Sequence, residues 1–258
     1  MIENKIYIIP DVHCRDFYKP VLKIKDKPVV FLGDYMDPYK FEGTNDDQGF
    51  ANLEEIFDFA RDNDNVTLLV ANHDCSWIWS PMGFERTDSS FYNDLHNLYR
   101  ENIDLLHSYC LIDNVLFTHA GISDFWISSV NNNYYLDGEF KVDSKNVLDW
   151  IDDQWLSELQ KDRAIRHWGY YELESPIFWC GSSRWGSDPE SGPLWRDHDM
   201  DDYLIKDFPY IQIYGHTRQE EIGIIKTSKV GHCVDSRAIF EYNLDTKILK
   251  VSELNENR

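Results

Sequence analysis

At 258 residues the chain is long enough to bury a sizeable single core, and its 42% apolar and 15% aromatic content argues against a disordered polypeptide. Its 46 acidic against 25 basic side chains leave a formal net charge of -21, which argues against a surface built to hold nucleic-acid phosphates. No linker-like tract, internal repeat or low-complexity stretch interrupts it, so residues 1–258 are expected to form one domain.

Read in chain order, the first apolar run, Ile6-Tyr7-Ile8-Ile9, leads into Asp11-Val12-His13. The second, Val29-Val30-Phe31-Leu32, leads into Gly33-Asp34-Tyr35-Met36-Asp37. Asp47 to Arg61 then carries Phe50, Leu53, Ile56, Phe57 and Ala60 at helical spacing, as a crossover helix would. Val66 to Val70 precedes Asn72-His73-Asp74, and Ser89 to Asn102 is a weaker helical stretch. Val115-Leu116-Phe117 precedes His119-Ala120-Gly121, and Asn146 to Gln160 marks another amphipathic helix through Val147, Leu148, Ile151, Trp155 and Leu159. From Trp150 to Trp195 the chain is rich in Trp and punctuated by Gly181, Gly186 and Gly192, so about 145–200 can be read as a cap over a pocket or as plain core filling. Ile211-Gln212-Ile213-Tyr214 precedes Gly215-His216-Thr217. The end, Gly223 to Ser252, alternates as strands with a hairpin signal near Asn243 to Thr246, which predicts a second sheet packed on the first and carries Asp235-Ser236-Arg237.

Five short β-branched and aromatic runs, each bounded by turn residues, read as buried strands that deliver polar residues at their C-terminal ends. Open α/β sheets place their sites at that edge. A lone His or Asp at a strand end is more often a turn or cap residue than a ligand. Here carboxylates, imidazoles and an amide recur behind strand after strand, and a site for two metal ions is the simplest account of so many convergent groups.

The blocks D-x-H, G-D-x-x-D, N-H-D, H-A-G and G-H-T, in that order, resemble those of the calcineurin-like metallophosphoesterase superfamily, in its phosphoprotein phosphatase and diadenosine-tetraphosphatase branch. The resemblance implies an α/β fold with a two-sheet β-sandwich core flanked by α-helices. It implies that Asp11 and His13 hold a first metal, that Asp34 bridges both, and that Asn72, His119 and His216 complete the second. Two divalent or trivalent ions are implied, Mn, Fe or Zn, with Mn the expected choice in vitro. Arg218 stands where many relatives carry a further His, as the protein phosphatases and tetraphosphatases also lack it.

The same resemblance implies direct attack on phosphorus by a water shared between the metals, with His73 protonating the leaving oxygen and Asp37 holding its imidazole charged. In the phosphatases an Arg follows the second Asp of G-D-x-x-D and grips phosphate, whereas Pro38 follows Asp37 here. Cys14 and Ala71 replace glycines of the family pattern. Arg15, Arg184, Arg196 and Arg218 are the candidate replacements for the phosphate grip, because a guanidinium fork matches phosphate oxygens. Arg196 is preferred among them, lying in Gly192-Pro193-Leu194-Trp195-Arg196-Asp197, which resembles a Leu-Trp block of the phosphatases.

The expected activity is hydrolysis of a phosphomonoester, on a protein or a small molecule, with neither nucleic acid nor membrane as partner. The alternatives are a dinucleoside-polyphosphate pyrophosphohydrolase of the diadenosine-tetraphosphate type and a catalytically silent binding scaffold, against which the intact ligand set argues. Met1 to Lys5 shows no secretory core, no stretch of about 18 apolar residues follows, and the odd set Cys14, Cys75, Cys110, Cys180 and Cys233 forms no C-x-x-C pair; a cytoplasmic enzyme is expected.

Overall fold

Both faces of the first strand are buried, which explains why its sequence is an unbroken apolar run. In the computed structural model, β1 (Lys5–Ile9) turns Ile6 and Ile8 to one face and Tyr7 and Ile9 to the other. Residues 4–79, 86–133, 141–161, 175–180, 190–199, 204–205 and 207–257 are described. Parallel to β1 lie β2 (Val29–Phe31), β3 (Val66–Leu69) and the short β4 (Leu106–His107). On its other side β1 pairs antiparallel with β10 (Phe240–Asn243), which pairs with β11 (Ile248–Val251). The first sheet therefore has the order β11-β10-β1-β2-β3-β4.

A second sheet has the order β5-β6-β7-β9-β8, built from β5 (Cys110–Ile112), β6 (Val115–Phe117), β7 (Ile211–Tyr214), β8 (Lys226–Thr227) and β9 (Gly231–Cys233). Its centre, β6, β7 and β9, is parallel. Ile6, Ile8, Val30, Leu69 and Phe240 of the first sheet share one apolar cluster with Val115, Phe117 and Ile213 of the second and with Val234 just beyond β9, so the sheets face each other across an apolar core. Each of these side chains contributes on the order of 1.5–3 kcal/mol by leaving water. The two-sheet sandwich is as expected, but Gly223 to Ser252 does not make a sheet of its own: β10 and β11 extend the first sheet while β8 and β9 extend the second.

Tyr7, Ile9, Val29 and Phe31 belong to the other large cluster, where helices cover the first sheet. Helix α1 (Asp46–Arg61) packs Leu53, Ile56 and Phe57 there; Asn45 caps it by accepting from Gln48 N at 2.9 Å. Helix α2 (Asn72–Trp79) begins at a predicted ligand and was not visible as a periodic pattern. Ser89 to Asn102 forms a 3₁₀ turn followed by α3 (Tyr92–Glu101). Helix α4 (Asp124–Asn133) was not expected, and α5 (Val147–Leu159) matches the stretch read from Asn146 to Gln160. Trp150 and Trp155 lie buried in the helix-covered core, while Trp168, Trp185, Gly181 and Gly186 lie outside the described residues. Among the described residues no helix is long and apolar enough to cross a membrane.

Candidate metal centre

The parallel strands of both sheets run so that β1, β2, β3, β6 and β7 end at one rim, and the residues just beyond them meet there. Reaching that meeting point demands an unusual backbone. His13, Asp34, Asp37 and His216 all adopt left-handed φ values, 43°, 52°, 73° and 68°. Such conformations cost on the order of 1–3 kcal/mol each and gather at functional sites. Gly215 allows the closest approach, since a Cβ there would stand 2.1 Å from Asp11 Oδ1.

Asp34 stands between two groups of donors. His13 Nε2 lies 3.3 Å from Asp34 Oδ2, and His119 Nε2 lies 3.8 Å from the same oxygen. The potential ligand atoms of His13, Asp34 and His73 fall within 4.8 Å of one another, as do those of Asp34, His119 and His216. Burial works against Asp34 ionising, yet His73, His119 and His13 hold its carboxyl well below the ordinary value.

The second group shows why a cation fits. His119 Nδ1 lies 2.8 Å from the Leu32 carbonyl and so donates its proton there, leaving a lone pair on Nε2. That nitrogen faces Asn72 Oδ1 at 2.9 Å and His216 Nδ1 at 3.1 Å, and Asn72 Oδ1 lies 3.2 Å from His216 Nδ1. Burial pushes the His119 and His216 imidazoles below the ordinary value, so neither carries a proton to spare near neutrality. With His216 in the tautomer that bares Nδ1, the three atoms present converging lone pairs, which a positive ion among them would hold together. Donors held about 2.1 Å from one ion at right angles stand about 3.0 Å apart, and the observed spacing matches.

His13 is prepared in the same way. Its Nδ1 lies 3.0 Å from the Met36 carbonyl and 3.2 Å from that of Asp37, and burial lowers its pKa to about 4, leaving Nε2 free to coordinate beside Asp34. Asp11 is fully buried and accepts from His216 N at 3.0 and 3.1 Å. Burial, Asp235 and Asp34 all push its carboxyl up, so a cation is what would keep it ionised.

Asp37 and His73 form the expected pair, with His73 Nδ1 2.9 Å from Asp37 Oδ2. The dyad has a third member that no motif announced. Arg86 Nε and Nη2 each lie 2.7 Å from Asp37 Oδ2, and the guanidinium stacks 3.9 Å from the Tyr39 ring. Burial opposes ionisation of Asp37, but His73 and Arg86 hold its pKa at about 2.

The candidate phosphate-gripping arginines separate. Arg196 is completely enclosed, its guanidinium 4.7 Å from the Tyr214 ring and its Nη1 donating to the Asp197 carbonyl at 3.0 Å. Gly121 makes room for it, since a Cβ there would lie 2.6 Å from Arg196 Nη2. Arg15 and Arg218 meet at Glu42 on the rim, and Arg184 lies outside the described residues. The cysteines carry free thiols; burial pushes those of Cys14 and Cys75 up, so both serve as inert fillers beside the site.

Asp74 is the fastener between the loops that carry Asp34 and Asn72. Its buried carboxylate accepts from Asp34 N and Ala71 N at 2.9 Å, Tyr35 N at 3.2 Å and Tyr99 Oη at 2.6 Å. Asp74→Ala leaves four donors without their acceptor, and thermal or urea unfolding should show a loss of at least about 3 kcal/mol. A loss below about 1 kcal/mol would show that the loops are held by something else.

Comparison with known proteins bears on this arrangement. A family model described as calcineurin-like phosphoesterase matches residues 4–219. The crystal structure of a cold-active protein-tyrosine phosphatase of a psychrophile, Shewanella sp., superposes with a TM-score of 0.62 at 17% identity, over 94% of this chain and 76% of that one. A metallophosphoesterase from Sphaerobacter thermophilus gives a TM-score of 0.34 at 17% identity, over 54% of this chain and 58% of that one. A search of curated proteins finds no match. The family match spans most of the chain and contains every predicted metal ligand, and the fold and the donor set accord with it: the chain belongs to the calcineurin-like phosphoesterases and is a metal-dependent phosphoesterase.

Proposed function

We propose that this chain is a dimetal phosphatase that hydrolyses a phosphomonoester by direct attack of water. The supporting observation is the single oxygen Asp34 Oδ2 facing His13 on one side and His119 on the other. Two bound cations would acidify a water between them and draw charge from the phosphoryl oxygens. The protein's part is then positional. Asp11, His13 and Asp34 would hold one ion and Asp34, Asn72, His119 and His216 the other, with the tautomers of His119 and His13 set by the Leu32 and Met36 carbonyls. His73, oriented by Asp37, delivers a proton to the leaving oxygen.

Arg86 supplies, from a segment 49 residues away, a cation beside Asp37 where the family's arginine would have followed it at Pro38. We assign it to the phosphate grip in preference to the enclosed Arg196. Losing a charge-assisted contact typically costs about 1.5–3 kcal/mol. Arg86→Ala should therefore lower kcat/KM on 4-nitrophenyl phosphate by about 10–100-fold with metal content unchanged. Unaltered efficiency would return the grip to Arg15, Arg196 or Arg218.

The function itself is tested by turnover of 4-nitrophenyl phosphate by the full chain with and without added Mn. Hydrolysis that appears with Mn and disappears with a chelator is expected. No turnover with Mn, Fe or Zn, in protein shown to bind two ions, would favour the silent scaffold.

A further inference from the structure

Three arginines converge on one carboxylate beside the metal centre: Arg15, two residues after His13, Arg218, two after His216, and Arg237, two after the buried Asp235. Arg15 Nε donates to Glu42 Oε2 at 2.7 Å, Arg237 Nη1 donates to Glu42 Oε1 at 3.2 Å, and Arg218 Nη2 donates to the same Oε1. Glu42 arrives from a 3₁₀ turn, Lys40–Glu42, outside every metal-site motif. Burial alone would raise its carboxyl, but Arg15 and Arg218 hold its pKa at about 2, so it is charged at any ordinary pH.

One carboxylate cannot satisfy three guanidinium groups. Arg15 Nη2, Arg218 Nε and Arg237 Nε are buried without a hydrogen-bond partner, and Arg15 as a whole is 8% exposed. A buried donor left unpaired is unfavourable, the more so when charged. Asp235 lies within electrostatic reach of all three, so three guanidinium groups share the two carboxyl groups of Glu42 and Asp235. In a chain with 46 acidic and 25 basic residues, such an excess at one point calls for an anion that is not part of the fold.

The cluster adjoins the centre. Arg15 Nη1 donates to the Asp11 carbonyl at 3.2 Å. The Tyr39 ring lies 4.9 Å from that of His13, with the Arg15 and Arg218 guanidiniums 4.9 and 5.2 Å from it. Phe41, 76% exposed, stands 5.5 Å beyond Tyr39 and offers an apolar wall at the rim. A phosphate dianion suits this setting better than a carboxylate, because it brings more charge and more oxygens to several guanidinium forks.

We propose that Arg15, Arg218 and Arg237 form a second anion subsite, which takes a second phosphate of a small substrate whose first phosphate lies at the metal centre. Glu42 keeps the arginines gathered and yields its place when that phosphate arrives. This subsite deepens the phosphatase reading above and rests on it for the position of the first phosphate.

Binding and rate together test it, on the full chain loaded with Mn. Butane-1,4-diol bisphosphate is compared with butyl phosphate and with 4-(phosphonooxy)butanoate by calorimetry and by kcat/KM. The bisphosphate should be preferred over butyl phosphate by about 30-fold. Arg218→Ala and Arg237→Ala should each cut that preference by about tenfold. Glu42→Gln, which keeps the shape and removes the competing charge, should raise it. That opposite sign separates a resident anion from a structural prop. A parent preference below about threefold, a preference that survives both arginine variants, or a fall with Glu42→Gln overturns the subsite, and a preference for the carboxylate arm alone overturns its assignment to phosphate. Should Arg237→Ala not fold, the partly exposed Arg218 still decides. Bisphosphate binding that follows this pattern without hydrolysis of any ester would sink the phosphatase reading and leave the subsite standing.

Discussion

Asp34→Asn should strip the centre of metal and lower turnover by more than about 100-fold, since even the outer partners of metal ligands typically cost 10–100-fold when removed. The substitution is chosen for its backbone. Asp34 has φ 52°, a left-handed conformation that Asn tolerates nearly as well as Asp, so the loop should keep its path. What is lost is the charge of the carboxylate that faces both donor groups, while the amide oxygen can still accept from His73 N, which meets Asp34 Oδ1 at 3.1 Å. Asn72→Ala removes a single neutral donor from the second group and should be milder in metal content and in rate. Elemental analysis after gel filtration, alongside turnover, checks both. Two tightly held ions and parental activity in Asp34→Asn would mean that the bridge is elsewhere.

The candidate ligands were legible because each follows a strand, and strands with both faces buried announce themselves as apolar runs. Ile6 to Ile9 is the clearest case: inward and outward faces are both packed, so hydrophobicity marks the strand and the next polar residue marks the rim. The strand order was not legible, because whether Phe240 to Asn243 pairs with β1 or with the second sheet is a matter of long-range partners. Helix α2 escaped notice because its eight residues begin with Asn72, His73 and Asp74 and are too short to show a period. Arg86 had no signal at all: its meaning lies in Asp37, and neither its spacing nor its neighbours distinguish it from a surface cation. The same holds for Glu42, whose importance appears only when three separate loops bring Arg15, Arg218 and Arg237 to it.

His73→Asn should separate a proton donor from a ligand by its dependence on the leaving group. With Nδ1 engaged by Asp37, Nε2 is the nitrogen left to give up a proton, and Asp34 and Asp37 raise the imidazole above its ordinary pKa against the opposing effect of burial. An alkyl alkoxide is strongly basic and needs that proton as its bond to phosphorus breaks, whereas a nitrophenolate departs without one. General acid catalysis typically contributes about 10²–10⁴-fold. The variant should therefore lose that much on alkyl phosphates and far less on 4-nitrophenyl phosphate. Asp37→Asn removes the partner that favours the protonated ring, so the limb of the pH profile on which activity falls as the acid deprotonates should move to lower pH, with a smaller loss of rate. His73 also stands with His13 and Asp34 in a group able to hold an ion, so metal content is measured in parallel. Loss of an ion in His73→Asn would make it a ligand. An equal loss on both esters with metals retained would make it a group that binds the phosphoryl oxygens in the transition state, and only a loss confined to the basic leaving group supports its role as the acid.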